Sequence, residues 1–310
     1  MKPTSFFLTI FLLFVPNLLC AQDGGTRDAD ASSKTLLKVM SFNIWVGGGK
    51  SEEQTLRIIK ESGADLIGVQ EATKNGANTV ERFAKELGWH SYASSASQTI
   101  LSRFPIVAVS RNKTGVKIQI DDRRYVWMFN VHLAYCPYEP YQLNGIEYCG
   151  AGLLATAEEA VASAWKTRKE QVEETLADID DVRKEGFSIF LTGDFNEPSC
   201  LDWTERAAQA GQCKMPVVWP CTKAFQEKGG MKDAYRTRYP DEVARPGHTW
   251  TTCPAKKEVH DRIDFVFFQG DAVCLEDIRI LGDQSSLSDV GYDAYPSDHR
   301  AVLGTFSIRK

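Results

Sequence analysis

The sequence predicts an α/β fold: a four-layer α/β/β/α sandwich, with two packed mixed β-sheets flanked by helices. Three observations predict it. Strand and helix patterns alternate from residue 36 to residue 87, a run of short strands with turns between them follows, and one long helix then leads to a second, separated strand group. Two strand groups and several helices in one chain bury their apolar faces most simply as two sheets packed on each other with helices outside.

The elements follow in order. Leu36 to Val46 reads as a strand, Glu52 to Ser62 as an amphipathic helix capped by Ser51, Asp65 to Glu71 as a strand and Gly76 to Leu87 as a helix. Thr99 to Ser102, Ile106 to Ser110, Val116 to Ile120 and Tyr125 to Leu133 are consecutive short strands, a meander and not a βαβ series. A long helix over about Ala155 to Lys184 carries Ala160, Ala164, Val172, Leu176 and Ile179 at helical spacing. Beyond Gly186 come a strand ending at Leu191, an irregular region to His248, and strands near Ile263 to Phe268, Ala272 to Leu281 and Ala301 to Ile308.

The 310 residues, 43% hydrophobic and 25% charged, suffice for a substantial core. Residues 1–21 have the form of a secretory signal: Lys2, an apolar run from Phe6 to Cys20, then Ala21. A membrane anchor needs roughly 18 or more uninterrupted apolar residues, and Pro16 and Asn17 break this run. The mature chain is therefore expected to lack a transmembrane segment and to be secreted or periplasmic. Lipid attachment at Cys20 ranks second, because Leu19 is bulky where such a site requires a small residue. Residues 22–35 read as a flexible lead-in and residues 36–310 as one domain, expected to be a monomer.

Seven cysteines follow the signal, and disulfides are the default in an exported chain. Cys136 and Cys149 bracket a tyrosine-rich loop and are the favoured pair. Cys200, Cys213, Cys221 and Cys253 would supply two more bridges in unassigned order, leaving Cys274 as a buried thiol. No close CxxC or HxxxH spacing supports a zinc site.

The chemistry lies where strands stop. Apolar runs lead to Asn43, Glu71, His132, Asp194 with Asn196, Asp264, and Asp298 with His299. In open α/β sheets ligands bind at such strand ends. Taken singly, Asp and Asn at a strand end ordinarily cap turns, and a lone histidine ordinarily serves as a structural donor. Glu71 is harder to dismiss, because a carboxylate ending an apolar strand is costly unless paired or metal-bound. Six such endings together outweigh the bland readings. The oxygen donors Glu71, Asp194, Asn196 and Asp298 suit a hard divalent cation, Mg2+ or Mn2+, with Ca2+ also compatible.

The segments VMSFNIW, GVQEAT, NVHLA, LTGDFNEP, DRIDFVFF and PSDHRAV, in order from Val39 to Ile308, resemble the endonuclease/exonuclease/phosphatase superfamily, which includes pancreatic deoxyribonuclease. GDFN and SDH together are specific, whereas each alone is weak. The resemblance implies Glu71 as principal metal ligand, with Asn43 and Asp298 completing or supporting the metal shell. It implies Asp194 and Asn196 holding the nucleophilic water and the scissile phosphate, His299 as general base or phosphate clamp, and His132 donating to the phosphate or leaving oxygen. A phosphoryl transition state needs charge neutralisation and an aligned water more than covalent chemistry, which these groups supply.

The sequence departs from the abasic-site endonuclease pattern at Trp45, where an Asp usually stands two residues after the first Asn. The partner of His299 is either Asp261 or Asp264. Asp264 is favoured, since Arg262 and Asp264 would share one strand face and Arg262 would then contact substrate.

The net charge of -5 and pI near 5.7 provide no broad basic surface for nucleic acid, and the late clusters Arg236 to Arg238 and Lys256 with Lys257 read as solvated loop charges. The loop from Tyr135 to Tyr148, including Tyr138, either walls a small pocket, touches a lipid surface, or is a plain cross-linked surface loop. The expected function is an exported metal-dependent phosphoesterase acting on a small or lipid-linked phosphodiester or monoester. The alternatives are a secreted nuclease and a non-catalytic binding module.

Overall fold

A computed structural model describes residues 34–253 and 257–309. The proposed signal segment, Cys20, most of the lead-in and Lys256 lie outside the described residues.

The chain runs β1 (Thr35–Asn43), α1 (Trp45–Gly48), α2 (Glu52–Ser62), β2 (Leu66–Gln70), β3 (Thr73–Lys74), β4 (Ala77–Asn78), α3 (Thr79–Leu87), β5 (His90–Ala93) and β6 (Gln98–Ser102). It continues with β7 (Ile106–Val109), β8 (Gly115–Gln119), β9 (Tyr125–His132), α4 (Glu139–Leu143), α5 (Ala157–Arg183) and β10 (Ser188–Asp194). It closes with α6 (Glu205–Gln209), α7 (Pro220–Glu227), β11 (Lys232–Asp233), α8 (Ala234–Arg238), β12 (Asp264–Gln269), β13 (Val273–Gly282), β14 (Val290–Gly291) and β15 (Ala301–Ile308). Among the described residues, one large sheet has the order β14-β13-β15-β1-β2-β6-β5, a second the order β11-β12-β10-β9-β8-β7, and β3 and β4 form a two-stranded ribbon. The two large sheets are the mixed sheets, with helices outside, that the strand groups predict.

Alternation along the strands builds the layers, because successive side chains leave opposite faces. On β1, Leu37 and Val39 enter the core between the sheets, while Met40 and Phe42 face α2 and α3 with Ile58, Ile59 and Phe83. On β10, Phe190 joins the inter-sheet core, while Ile189 and Leu191 pack with Val172 and Ile179 of α5. The central strands are therefore buried on both faces, which explains their continuous apolar runs.

The helices begin and end at clear signals. Ser51 accepts the Gln54 amide at the start of α2, and Gly63 closes that helix at φ 65°. Thr156 and Glu159 form a reciprocal capping box that starts the 27-residue α5.

Two details differ from the sequence reading. The supposed meander is divided: β6 pairs with β2 in the first sheet, and the chain crosses at Phe104 and Pro105 so that β7, β8 and β9 pair in the second. The irregular stretch before His248 also contains α6, α7 and α8.

A polar seam joins the sheets. Gln70 Nε2 donates to Asn130 Oδ1 at 2.6 Å, Thr192 Oγ1 donates to the same oxygen at 3.1 Å, and Asn130 Nδ2 donates to the Val69 carbonyl at 2.9 Å. Gly68 makes room for it, since a Cβ there would lie 1.8 Å from Thr192 Oγ1. The seam residues Gln70, Asn130 and Thr192 come one or two positions before Glu71, His132 and Asp194.

Among the described residues, no helix is long and apolar enough to cross a membrane.

Candidate active site

Strand register brings the polar endings to one level. Asp194 of β10 stands opposite His132 of parallel β9 and opposite Asp264 of antiparallel β12. In the other sheet Asn43 of β1 is in register with Gln70, so Glu71 follows at the same end. Ser297 Oγ donates to the Asn43 carbonyl at 2.7 Å, which fixes Asp298 and His299 against that end.

Asp194 is the hub. Its Oδ2 accepts from Asn43 Nδ2 at 3.0 Å and lies 3.6 Å from His132 Nε2 and 3.7 Å from His299 Nε2. Its Oδ1 accepts the Asn196 amide at 2.9 Å. Asn196, at φ 45°, anchors its own carboxamide by donating to the Leu133 carbonyl at 3.1 Å.

Asn43 Nδ2 also donates to Glu71 Oε1 at 3.1 Å, and Glu71 Oε2 accepts the Val46 amide at 2.7 Å. Asn43 Oδ1 accepts the Trp45 amide at 3.0 Å. The turn at Trp45 thus works through its backbone, while Asn43 orders two carboxylates.

His299 Nδ1 faces Asp264 Oδ2 at 2.9 Å, and its ring packs on Trp250 with centroids 4.8 Å apart. Burial opposes its charge, but Asp264 and Asp194 outweigh that effect and raise the imidazole to about 10. Burial raises Asp264 to about 6, held back by His299. The contact favours an imidazolium on a carboxylate, each group stabilising the charged form of the other. Asp261 is elsewhere: it accepts from Tyr138 Oη at 2.7 Å and Trp203 Nε1 at 2.8 Å.

Arg262 corrects the sequence reading. The strand begins at Asp264, so the expected alternation does not extend back to Arg262. Its side chain is buried, donating to Asp202 at 2.9 and 3.0 Å and to Asp233 at 3.1 Å. With every guanidinium nitrogen engaged, it is not placed to contact substrate. Arg236 is likewise buried and bonded to Asp202 at 2.7 Å, which removes it from the supposed solvated cluster.

The tyrosine loop carries the Cys136–Cys149 disulfide, with Cα atoms 6.2 Å apart. Cys200, Cys213, Cys221 and Cys253 form no disulfide, contrary to expectation, and Cys274 is half-buried. The loop is also held from beneath by an ion pair the sequence did not reveal, Arg168 Nη1 to Glu139 Oε2 at 2.8 Å, with both side chains fully buried. Tyr135, Tyr138, Tyr141, Tyr148, Trp250, Asn196 and Ile263 enclose a cleft of about 160 Å³.

Two further contacts were hidden from sequence. Ser97 Oγ engages His132 Nδ1 at 2.5 Å, leaving Nε2 toward Asp194. Trp250 lies in an irregular segment with no periodic signal. Only its aromatic character between polar neighbours could have singled it out.

The donor set fits a hard cation. Asp264 Oδ1 is buried without a hydrogen-bond partner among the described residues, and ligand atoms of Asp194, Asp264 and His299 lie within 4.8 Å of one another. Burial raises Asp298, His299 holds it back, and the Glu71 and Asp194 charges add to the rise, so these carboxylates crowd one another. His299 is already committed to Asp264, so Glu71, ordered by Asn43, and Asp298 are the better ligands.

A family model described as Endonuclease/Exonuclease/phosphatase family matches residues 40–299. The uncharacterized Caenorhabditis elegans protein F14F9.5 is 28% identical over 331 residues, spanning 97% of this chain and 99% of that protein. An endonuclease/exonuclease/phosphatase family protein from Bacteroides thetaiotaomicron superposes with a TM-score of 0.55 at 16% identity, covering 90% of this chain and 100% of that one. An AP endonuclease from Archaeoglobus fulgidus gives 0.53 at 12% identity over 86% of this chain and 98% of that one. TDP2 from D. rerio, complexed with single strand DNA product, gives 0.51 at 14% identity over 88% and 99%. At these identities the structural likeness concerns the fold.

Proposed function

The chain belongs to the endonuclease/exonuclease/phosphatase family, and from that premise we propose that it is an exported, divalent-metal-dependent phosphoesterase that hydrolyses a small or lipid-linked phosphate ester as a monomer. Members of the family are metal-dependent hydrolases of phosphate esters. The observation that carries the reading is the convergence of Asn43, His132 and His299 on one carboxylate oxygen of Asp194, within 3.0 to 3.7 Å.

In this mechanism Asp194 and Asn196 hold a water in line with the phosphorus. As the water oxygen bonds to phosphorus, Asp194 takes its proton, the bond to the leaving oxygen breaks, and His132 Nε2 returns a proton to that oxygen. His299, kept charged by Asp264, clamps a phosphoryl oxygen, which favours clamp over general base. A hard cation held by Glu71 and Asp298, with Asn43 in support, would neutralise charge on the phosphate. The donors are positioned before substrate arrives, so little reorganisation opposes the step.

A nuclease is the second reading, supported by the fold shared with the DNA-bound TDP2. The acidic balance opposes it, because non-specific nucleic-acid affinity comes largely from Lys and Arg neutralising phosphates. Small phosphate esters are expected to be hydrolysed faster than plasmid or single-stranded DNA at matched enzyme and physiological salt, with weak salt dependence. Steady-state assays of both substrate classes decide it. Efficient DNA nicking at low nanomolar enzyme, lost in His299→Ala, would establish the nuclease instead.

A further inference from the structure

We infer that the tyrosine cleft is a binding site for a planar aromatic group of the substrate, so that the ester turned over carries an aryl or heteroaromatic alcohol. This rests on the phosphoesterase reading, since it names what is attached to the phosphate held at Asp194. The cleft adjoins that site directly: Asn196 lines it, and Trp250, another of its walls, packs 4.8 Å from His299.

Its lining carries no charge: four tyrosines, Trp250, Asn196 and Ile263. A second phosphate would require Arg or Lys there. The polar ends of two rings are turned to protein partners, Tyr138 Oη donating to Asp261 and Tyr141 Oη accepting from Trp250 Nε1 at 3.2 Å. The cleft therefore presents carbon surface. Tyr138 and Tyr141 meet at 90° with centroids 4.9 Å apart, and Tyr141 and Tyr148 at 90° and 5.5 Å, offering faces and edges to a further ring.

Size points the same way. About 160 Å³ suits one ring, as an apolar cavity of about 150 Å³ accepts benzene; an acyl chain needs a longer groove. Tyr135 and Tyr148 remain 58% and 37% exposed, leaving ring surface to be covered. Two nearby carboxylates are turned to protein donors behind the walls, Glu258 Oε1 to Trp250 Nε1 and the Val259 amide, Asp261 to Tyr138 and Trp203. The disulfide and the buried Arg168–Glu139 pair hold the rings in place beforehand, which lowers the entropy lost on binding.

The test is calorimetric titration of the full chain in magnesium buffer with phenylphosphonate, methylphosphonate and 2-(trimethylammonio)ethylphosphonate, none of which can be hydrolysed. Phenylphosphonate is expected to bind at least about tenfold tighter than methylphosphonate. The ratio should approach one in Tyr148→Ala and persist in Tyr148→Phe. Should Tyr148→Ala not fold, Tyr135→Ala, the more exposed ring, replaces it. Equal affinities, no binding by either, or tightest binding of the trimethylammonium compound would overturn the inference. Because binding is read without turnover, an active enzyme lacking the preference refutes the cleft alone, and an inactive protein showing it refutes the activity alone.

Discussion

Asp194→Ala and His299→Ala should each lower the turnover of a phosphate ester at least roughly a hundredfold, the usual scale for groups that move a proton or stabilise developing charge. The melting temperature should change little. Asp194 is buried among Asp264, Asp298 and Glu71, so its removal relieves like-charge repulsion as it deletes the bond from Asn43. Loss of His299 strands Asp264, yet burial already raises that carboxyl to about 6, and it can take up a proton instead of remaining an uncompensated charge. Kinetics and thermal melts on the same preparations check both halves. Asp264→Asn should cost much more turnover than Asp261→Asn, because only Asp264 touches His299. Unfolding of Asp194→Ala or His299→Ala would mark the residue as structural, and the reverse order for the Asn variants would reassign the histidine's partner.

The largest expected effect on stability lies at Arg262. It bonds both Asp202 and Asp233 and is almost fully buried, with Arg236 as the other cation on Asp202. Arg262→Ala leaves the buried Asp233 without a guanidinium and Asp202 with Arg236 alone, and breaking a buried pair from one side costs about 3–5 kcal/mol. The lost packing against Phe265, whose ring centroid is 4.8 Å from the guanidinium carbon, adds to this. A melting midpoint lowered by roughly 10 °C is expected in calorimetry. An unchanged midpoint with a raised KM would show instead that Arg262 binds substrate.

The contrast between these residues explains what the sequence could disclose. The layers were legible because β1, β10 and β12 alternate apolar residues between two buried faces, and because Ser51 and the Thr156–Glu159 box mark helix starts at short range. The polar strand ends were legible because an apolar run that stops at a carboxylate is costly unless something is bound or paired there. Arg262 misled because alternation was counted through residues that precede the strand. Its partners lie 60 and 29 positions away, separations that carry no periodic signal. The same holds for Ser97 beside His132 and for Arg168 beneath the tyrosine loop. The cysteine count misled as well, since Cys200, Cys213, Cys221 and Cys253 are brought into the fold as thiols. His90–Ala93, a half-exposed edge strand, lacks the apolar face that would reveal it.

The measurement that bears most directly on the central claim is phosphate-ester hydrolysis before and after exhaustive chelation, followed by addition of single metals. Glu71, Asp298 and Asp194 concentrate negative charge at the joined ends of both sheets, and Asn43 orders Glu71 and Asp194 without neutralising them. Chelation should abolish activity, and magnesium or manganese should restore it to near its starting level, while Glu71→Gln should respond weakly to either metal. Undiminished hydrolysis by the chelated protein would contradict a metal-dependent mechanism, and absence of hydrolysis of every ester with every metal would leave the fold serving as a binding module.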